Sequence, residues 1–286
     1  MDKKIYCVIL NYNSTAICKK CIADLRQQRA VELVLIVVDN ASKSCELEAL
    51  KAFCSNSDVI LLESKVNRGY SAGNNIGLHY ASEHGAELAL IANPDMEFPD
   101  RDYLAKLSRA FDEDKDVVVA ASDIVDTTGV HLNPQPPEHG WRSAFEWLSW
   151  KMNSERNRQK IRFNASGICS KVSGCCFMIN MEFVKNIGFF DEYPFLYCEE
   201  AILAAQVTAA GKKMFYLADT TAIHRHMDRP GSNPLPKFRQ LRRSRIYYHR
   251  HYTRDNFWGK FWAVLSYDLW YVCAFITVKM RGASKK

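Results

Sequence analysis

Residues that interrupt regular structure are scarce in this sequence, which has 13 glycines and 9 prolines among 286 residues. Fibrous and low-complexity chains contain far more of both residue types, so these two classes are excluded. Hydrophobic residues make up 48% of the chain, which is enough for one large α/β core or two smaller ones. The composition therefore predicts an ordered globular protein.

The sequence also lacks the patterns that would give its ten cysteines a structural role. Its first residues, MDKKIYCVIL, do not resemble a secretory signal peptide, so we expect reduced thiols and a cytosolic protein. Cys18 and Cys21 have the CxxC spacing of a metal site, but no second CxxC or HxxxH pair completes a tetrahedral ligand set. We interpret the pair as small hydrophobic residues on a helix.

Acidic residues are missing from a stretch near the C-terminal end. From Arg229 to Arg254 there are eight Lys or Arg and no Asp or Glu, and residues 261–278 then contain Asp268 as their only charge. A spanning helix needs about 20 apolar residues and tolerates a central carboxylate poorly, so we expect a helix in the membrane interface. A helix packed on the protein core is the alternative. The basic stretch favours an anionic membrane or an acidic substrate over nucleic acid.

The first 121 residues alternate apolar runs of strand length with helical segments. Strands are predicted at residues 5–10, 32–38, 59–62, 88–91 and 117–121, and helices at 15–28, 44–56, 72–85 and 103–112. Almost wholly apolar strands that alternate with helices predict a parallel sheet covered on both faces. Residues 126–165 are predicted to form an irregular excursion over the active-site face, before a strand at 172–179 and a helix at 182–187.

Polar residues follow three of these strands, at the sheet edge where parallel α/β proteins bind ligands. Asn11 follows the first strand, Asp39 follows the second, and Asn93-Pro94-Asp95 follows the fourth. Magnesium and manganese take one or two carboxylates from a protein and complete their shell with phosphate oxygens and water. Asp95 is therefore sufficient as an acidic ligand, although Asn-Pro-Asp is also an ordinary turn.

A glycine-rich segment, residues 67–77, opens the third predicted helix. Its glycines at 69, 73 and 77 allow close approach of the backbone to a ligand or to another element. The segment matches neither GxGxxG nor a P-loop, so dinucleotide and ATP binding lose their usual support. Tight helix packing is the alternative interpretation.

The second half of the chain contributes further acids and a histidine. Phe190-Asp191-Glu192 and Glu199-Glu200 follow aromatic residues, and burial beside a like charge raises the pKa of such an acid toward that of a general base. The alternative is that these acids only begin a helix, where their negative charge interacts favourably with the helix dipole. His224 ends a short apolar stretch and is a candidate nitrogen ligand, although an isolated histidine is more often structural.

Taken in order, these motifs resemble the family 2 glycosyltransferases of the GT-A fold. Within that family they are most similar to the bacterial rhamnosyltransferase-like enzymes that build O-antigen and capsular polysaccharide. The resemblance covers residues 4–226 and rests on the segments 8–13, 38–42, 67–77, 93–95, 173–174, 190–192 and 199–200, and on residue 224.

The resemblance implies an α/β fold of GT-A type. A mainly parallel, Rossmann-like nucleotide-binding sheet would be continuous with an acceptor-binding half and followed by C-terminal helices. The nucleotide-sugar half would be residues 1–122 and the acceptor and catalytic half residues 123–226. Residues 227–286 would form a basic and aromatic helical segment that associates with a membrane.

Roles for the donor site follow from the same resemblance. Asp39 would read a pyrimidine base. The remaining residues implied at the donor site are Asn11, Asn13, Asn67, Gly69, Asn75, Asn93 and Gly174. Asn93-Pro94-Asp95 stands where the family has its DXD motif, so Asp95 would bind Mn²⁺ or Mg²⁺ and His224 would complete the metal site. Asn93 replaces the first aspartate and would contact ribose or metal-bound water.

The resemblance also implies the chemistry. Glu199-Glu200 stands where the family usually has Glu-Asp, so Glu200 would be the general base, with Glu199 and Asp191 as further catalytic candidates. The reaction would be an inverting transfer from a nucleoside-diphosphate sugar, dTDP-rhamnose or a UDP-hexose, to a saccharide or lipid-linked saccharide. We expect this at the cytoplasmic face of the membrane, without nucleic acid as a partner.

Two other functions are compatible with parts of this pattern. A nucleotidyltransferase would need a glycine-rich loop with a basic residue after the first strand, where this chain has Asn11-Tyr12-Asn13-Ser14. A catalytically impaired, sugar-nucleotide-binding scaffold is favoured by the segment 199–206, which lacks the Asp-Leu and later arginine usual in the family.

Overall fold

A computed structural model describes residues 3–138, 140–149, 162–225 and 234–283. The strands β1 to β9 are Lys3–Asn11, Val31–Asn40, Ile60–Ser64, Leu88–Ala92, Met96–Glu97, Val117–Asp126, Gly167–Cys169, Cys176–Asn180 and Lys213–His224. The helices α1 to α8 are Thr15–Leu25, Ser44–Cys54, Tyr70–Glu83, Tyr103–Glu113, Met181–Asn186, Glu199–Ala209, Leu235–His251 and Phe257–Ala283, and Gly140–Ser149 is a 3-10 helix. Arg229 of the basic stretch and residues 139 and 150–161 of the predicted excursion lie outside the described residues.

One mixed sheet joins these strands in the order β3-β2-β1-β4-β8-β6-β9-β5, and β7 pairs with β9 beside that path. β3, β2, β1 and β4 are parallel to one another, and β6 is parallel to β9. β8 is antiparallel to both of its neighbours, β4 and β6. The result is a mixed α/β fold with a mainly parallel central sheet and C-terminal helices, as expected.

The sheet is buried on both faces. Alternate residues of β1 point to opposite faces, so Ile5 and Ile9 pack with α1 while Val8 packs with α3. This explains the unbroken apolar runs of the first strands. Cys18 and Cys21 lie in the core on the α1 side, and burial raises the pKa of the Cys18 thiol to about 12. The interpretation of the pair as small hydrophobic residues is confirmed.

Helix α3 packs tightly on the parallel strands through its glycines. A Cβ atom at Gly73 would lie 2.4 Å from Leu10 Cδ1, and one at Gly77 would lie 2.4 Å from Val8 Cγ1. The helix begins at Tyr70, two residues before the predicted start. This close packing brings the start of α3 to the sheet edge where β1 and β2 end.

The second half of the sheet differs from the prediction. The strand predicted at 172–179 begins only at Cys176, because the preceding residues are bound by other groups: Asn93 N–H donates to the Cys175 carbonyl (2.8 Å) and Ser173 N–H donates to Asn133 Oδ1 (2.6 Å). Val172 is apolar because it is buried, and it belongs to no strand. The strands β5, β7 and β9 were not predicted.

Candidate functional site

The ends of β1 and β2 meet at the predicted nucleotide-facing edge. Asn11 and Asp39 are direct partners in the parallel register, and neither has exposed surface. Asn11 Nδ2 donates to Asp39 Oδ1 (3.0 Å), and the Ser42 N–H donates to Asp39 Oδ2 (2.9 Å). Asn13 joins the same two loops, since its N–H donates to Ser42 Oγ (2.8 Å) and its Oδ1 accepts from the Lys43 N–H (2.8 Å). The structure therefore brings the three predicted residues together.

Residue 40, which sequence reasoning missed, connects this edge to the glycine-rich segment. Asn40 Nδ2 donates to Asn67 Oδ1 (3.1 Å) and to the Gly69 carbonyl (3.0 Å). Gly69 has φ +97°, and a Cβ atom there would lie 2.2 Å from the carbonyl oxygen of Phe195. In the sequence, the only indication of a role for Asn40 was the position of this residue directly after Asp39. The segment 67–70 thus meets the chain that leads to the acid pair.

Two further predicted donor-site residues have protein partners. Asn75 is buried, its Nδ2 donates to the Phe190 carbonyl (2.9 Å), and its Oδ1 accepts from the Phe190 N–H (3.0 Å). Its amide therefore anchors the segment before Asp191. The carbonyl of Gly174 accepts a hydrogen bond from the Tyr70 hydroxyl, which places Gly174 beside the start of α3.

The Asn93-Pro94-Asp95 turn lies next to His224 because of a two-residue ladder. In β5 and β9, Met96 pairs with His224, and the Arg225 N–H donates to the Asp95 carbonyl (2.9 Å). Asp95 Oδ1 and His224 Nε2 are consequently 3.2 Å apart. Asp95 Oδ1 is buried, and no residue in the described part of the chain donates a well-oriented hydrogen bond to it.

This pair fits a divalent cation. Two ligands at right angles around an ion at about 2.1 Å are about 3.0 Å apart, close to the observed separation. Within the described residues, no group of three or more His, Cys, Asp or Glu could hold a metal. A site of this kind therefore depends on substrate oxygens and water for its other ligands, which is usual for Mg²⁺. Asn93 begins the turn, and its N–H is bound to Cys175.

The three predicted acids line one pocket. Asp191, Glu199 and Glu200 share it with Tyr70 and Gly174. One oxygen of Glu199, Oε1, is buried and has no hydrogen-bond partner among the described residues. Burial, followed by the charge of Glu200, raises the pKa of Glu199 to about 8. One of the paired acids thus has the raised pKa that the sequence predicts, and both acids also stand in the first turn of α6.

Backbone strain occurs both at the edge where β1 and β2 end and directly before the acid pair. Four non-glycine residues beside the site have positive φ: Asn13 (54°), Ala41 (62°), Tyr197 (73°) and Cys198 (70°). This conformation costs about 1–2 kcal/mol for a residue with a Cβ atom. Such strain persists only where the surrounding structure imposes it, and it is typical of functional sites.

The sequence and the fold have counterparts among known proteins. The low-salt glycan biosynthesis hexosyltransferase Agl10 of Haloferax volcanii is 28% identical over 195 residues, which are 68% of this chain and 58% of that protein. The chain thus spans little more than half the length of this relative.

Solved structures show the same architecture. The mannosyltransferase PcManGT of Pyrobaculum calidifontis, solved with GDP-Man and Mn²⁺, has a TM-score of 0.61 at 15% identity, covering 99% of this chain and 75% of that one. GalNAc-T7, solved with UDP, GalNAc and Mn²⁺, has a TM-score of 0.61 at 16% identity, covering 86% and 50%. S. aureus TarS 1-349 has a TM-score of 0.57 at 14% identity, covering 92% and 70%.

At these identities the similarity shows the fold alone, and it confirms the predicted GT-A architecture. The family is shown by the sequence. Residues 6–188, more than half of the chain, match the family model described as glycosyl transferase family 2, and the chain belongs to that family.

Proposed function

We propose that this protein is a metal-dependent, inverting glycosyltransferase that moves a sugar from a nucleoside diphosphate to a saccharide acceptor. The observation that carries the proposal is the 3.2 Å separation of Asp95 Oδ1 and His224 Nε2. A pocket with three carboxylates is present in the same chain. The family and the hexosyltransferase relative support this activity. By the resemblance, dTDP-rhamnose or a UDP-hexose is the donor, and the product belongs to a bacterial surface polysaccharide.

Asp95 and His224 would hold the divalent cation, which supplies positive charge for the departing diphosphate. Glu200 would accept the proton of the acceptor hydroxyl. Because the pKa of Glu199 is raised to about 8, this neighbour is mainly protonated at neutral pH. Glu199 is then an uncharged neighbour of Glu200, the proposed general base.

The loops that follow β1 and β2 would form the nucleotide site, together with Asn67, Gly69 and Asn93. Asp39 has no exposed surface. Contact between Asp39 and a pyrimidine base would therefore require the residues that cover Asp39 to move. The halves proposed for donor and acceptor, residues 1–122 and 123–226, meet where β4 pairs with β8.

Donor binding is tested by thermal unfolding with a panel of nucleotide sugars, each with and without Mn²⁺. A ligand present at about 100 times its Kd adds about 2.7 kcal/mol to the stability of the folded state. We expect dTDP-rhamnose or a UDP-hexose to raise the unfolding midpoint, and Mn²⁺ to enlarge the shift. Asp95→Asn should lose the metal-dependent part. A panel in which no nucleotide sugar raises the midpoint would contradict the proposal.

The chemistry is tested by variants of the acid pair. General bases typically contribute about 10²- to 10⁴-fold, so Glu200→Gln should slow transfer by that factor and keep the donor-induced shift. Near-normal transfer by Glu200→Gln, with loss in Glu199→Gln or Asp191→Asn, would show that another acid is the base. The alternative function, a catalytically impaired scaffold, predicts donor binding without Mn²⁺-dependent hydrolysis of the nucleotide sugar.

We further propose that α8 places the enzyme on the cytoplasmic face of a membrane, where a lipid-linked acceptor is available. In the described part of the chain, Phe257–Met280 is the one helix long and apolar enough to cross a membrane, by length and composition alone. One face of this helix packs on the protein, since Ala263 and Tyr267 are buried and Ser266 Oγ accepts from Trp147 Nε1 (2.8 Å). Aromatic residues are exposed elsewhere on the helix. This arrangement favours an interfacial position.

A further inference from the structure

Helix α7 lies along the segment that carries the catalytic candidates. Ser244 Oγ donates to the Leu196 carbonyl (2.8 Å), and Tyr248 packs in one cluster with Cys198 and Ile202. The ring of Tyr247 stacks on that of Tyr193, with centroids 3.9 Å apart. The resemblance assigns α7 to the segment that associates with a membrane. Its contacts also make it a support for the segment that lines the acid pocket.

Two tyrosine hydroxyls from this region converge on Asp191. Tyr247 and Tyr252 both donate to Asp191 Oδ2, at 2.8 and 2.5 Å, while the Tyr193 N–H donates to Asp191 Oδ1 at 2.9 Å. Burial, together with the hydrogen bond to Asp191, raises the pKa of Tyr247 to about 12, so its hydroxyl keeps its proton at neutral pH. An ionised carboxylate has about four acceptor sites, of which three are occupied here.

The segment around Asp191 is also bound to the glycine-rich motif that the proposed function assigns to the donor. Asn75 holds both backbone groups of Phe190, and Arg68 forms an ion pair with Glu192 (2.6 Å). Asp191 is therefore fixed from two sides: by α7 and Tyr252 through its side chain, and by the donor motif through its neighbours. Asp191 lines the acid pocket, and its three hydrogen bonds from described residues leave one acceptor site.

We infer that Tyr247 and Tyr252 are positioning residues that fix Asp191 as a hydrogen-bond acceptor for a hydroxyl of the donor's sugar ring. Three donors fix the orientation of the carboxylate, and an acceptor of fixed orientation suits the recognition of a particular hydroxyl. The inference rests on the proposed function and assigns a specificity role to the C-terminal region, beyond membrane association.

The test compares a nucleoside diphosphate with the same nucleotide carrying its sugar, both with Mn²⁺, for the best donor of the panel. The variants are Tyr247→Phe, Tyr252→Phe and the double variant. The difference between the two midpoint shifts, which we call the sugar increment, isolates the contacts to the sugar. We expect the nucleoside diphosphate shift to be kept, while affinity for the nucleotide sugar falls about tenfold in the double variant, as for loss of a hydrogen bond to a charged group.

Tyr193→Phe is the matched control. Tyr193 belongs to the same aromatic cluster and is half-exposed, but its side chain makes no hydrogen bond to Asp191; its hydroxyl accepts from Arg243 Nε (3.4 Å). We expect this variant to keep both shifts. Each single variant at Tyr247 or Tyr252 retains one hydroxyl donor and should lose an intermediate part of the sugar increment, which allows the comparison even if the double variant is unstable.

Two results would overturn the inference. In the first, the two shifts shrink in parallel, so that the tyrosines only support the fold. In the second, the sugar increment is unchanged in the double variant, so that Asp191 does not recognise the sugar. Absence of any nucleotide shift in the wild-type protein is a different result, because it would remove the proposed function itself and this inference with it.

Discussion

At the scale of single residues, Ala41 gives a direct test of the strain beside the nucleotide site. Its φ of 62° is unfavourable for a residue with a Cβ atom, by about 1–2 kcal/mol, and glycine avoids this cost while losing about 0.5–1 kcal/mol of chain entropy. We therefore expect Ala41→Gly to leave the free energy of unfolding unchanged or to raise it by up to about 1.5 kcal/mol, as measured by urea denaturation.

The control for this prediction is Ala49→Gly. Ala49 is exposed in the middle of α2, where the same replacement should lower the free energy of unfolding by about 1 kcal/mol. Equal losses in the two variants would mean that Ala41 is not strained.

Glu199 gives a second prediction at this scale, because its pKa is raised to about 8 from an ordinary value of 4.5, chiefly by burial and then by Glu200. Between these two pH values the folded state binds a proton that the unfolded state releases, so stability falls as the pH rises through the window. Glu199→Gln removes this dependence. We compare the free energy of unfolding of Glu199→Gln with that of the wild type. We expect this difference to shift in favour of the variant by more than about 1 kcal/mol from pH 5 to pH 9.

Chemical denaturation at pH 5, 7 and 9 checks this expectation. Glu182→Gln is the matched control, since Glu182 is an exposed acid in the first turn of α5 and should show no such gain. A constant difference between Glu199→Gln and the wild type across the three pH values would be the contrary result.

At the scale of elements, the start of α3 depends on Gly69, which the backbone of a distant segment leaves no room to replace. Gly69 and Gly85 both have positive φ, but a Cβ atom at Gly69 would meet the backbone of Phe195 at 2.2 Å, whereas nothing lies within 4 Å of one at Gly85. We expect Gly85→Ala to lower stability by about 1–2 kcal/mol, from strain alone. Gly69→Ala should cost clearly more and also abolish the nucleotide-induced shift in thermal unfolding. Similar losses in both variants would contradict the close contact.

The secondary-structure elements differ in how well the sequence predicts them. The strands β1 to β4 were predictable because burial on both faces leaves an unbroken apolar run. The two-residue strand β5 has no such pattern, since its only basis is pairing with β9. The sequence therefore presents Asp95 and His224 as separate candidates, and their 3.2 Å separation follows from that pairing alone.

Contacts between distant segments limited the prediction of the site in the same way. Order along the chain was enough to name Asp191, Glu199 and Glu200, which the structure brings into one pocket. It was not enough to find the partners of Asp191. Tyr247 and Tyr252 lie 56 and 61 residues further along the chain, in a region that the sequence distinguishes only by its basic residues. A tyrosine among arginines carries no pattern that distinguishes a positioning role from surface exposure.

At the scale of the whole molecule, α7 connects the acid pocket to the helix that we propose as the membrane contact. Tyr247 reaches Asp191, and Arg242 forms an ion pair with Asp268 of α8 (2.5 Å). Asp268, which argues against a spanning helix, thus has a partner on the protein side. The orientation of α8 relative to the pocket is fixed by this contact and by the packing of Ala263 and Tyr267.

The membrane proposal predicts that exposed aromatic residues on α8 contribute most of the binding to vesicles. The replacement of Trp258, Phe261 and Trp262 by serine removes three exposed apolar side chains while Ala263 and Tyr267 stay in place. Because a buried side chain of this size contributes about 1.5–3 kcal/mol, we expect at least a tenfold loss of binding to phosphatidylglycerol vesicles in flotation assays. Val66→Ser with Ile168→Ser, two comparably exposed positions outside α8, is the control and should bind normally.

The two modes of membrane contact differ in what releases the protein. A helix held in the interface by apolar contact and by the basic residues of α7 should bind anionic vesicles better than phosphatidylcholine, lose part of that binding at high salt, and leave cell membranes in alkaline carbonate. A spanning helix would stay in the carbonate pellet. Retention there would contradict the interfacial position, and equal flotation of the triple variant and the wild type would exclude α8 as the membrane contact.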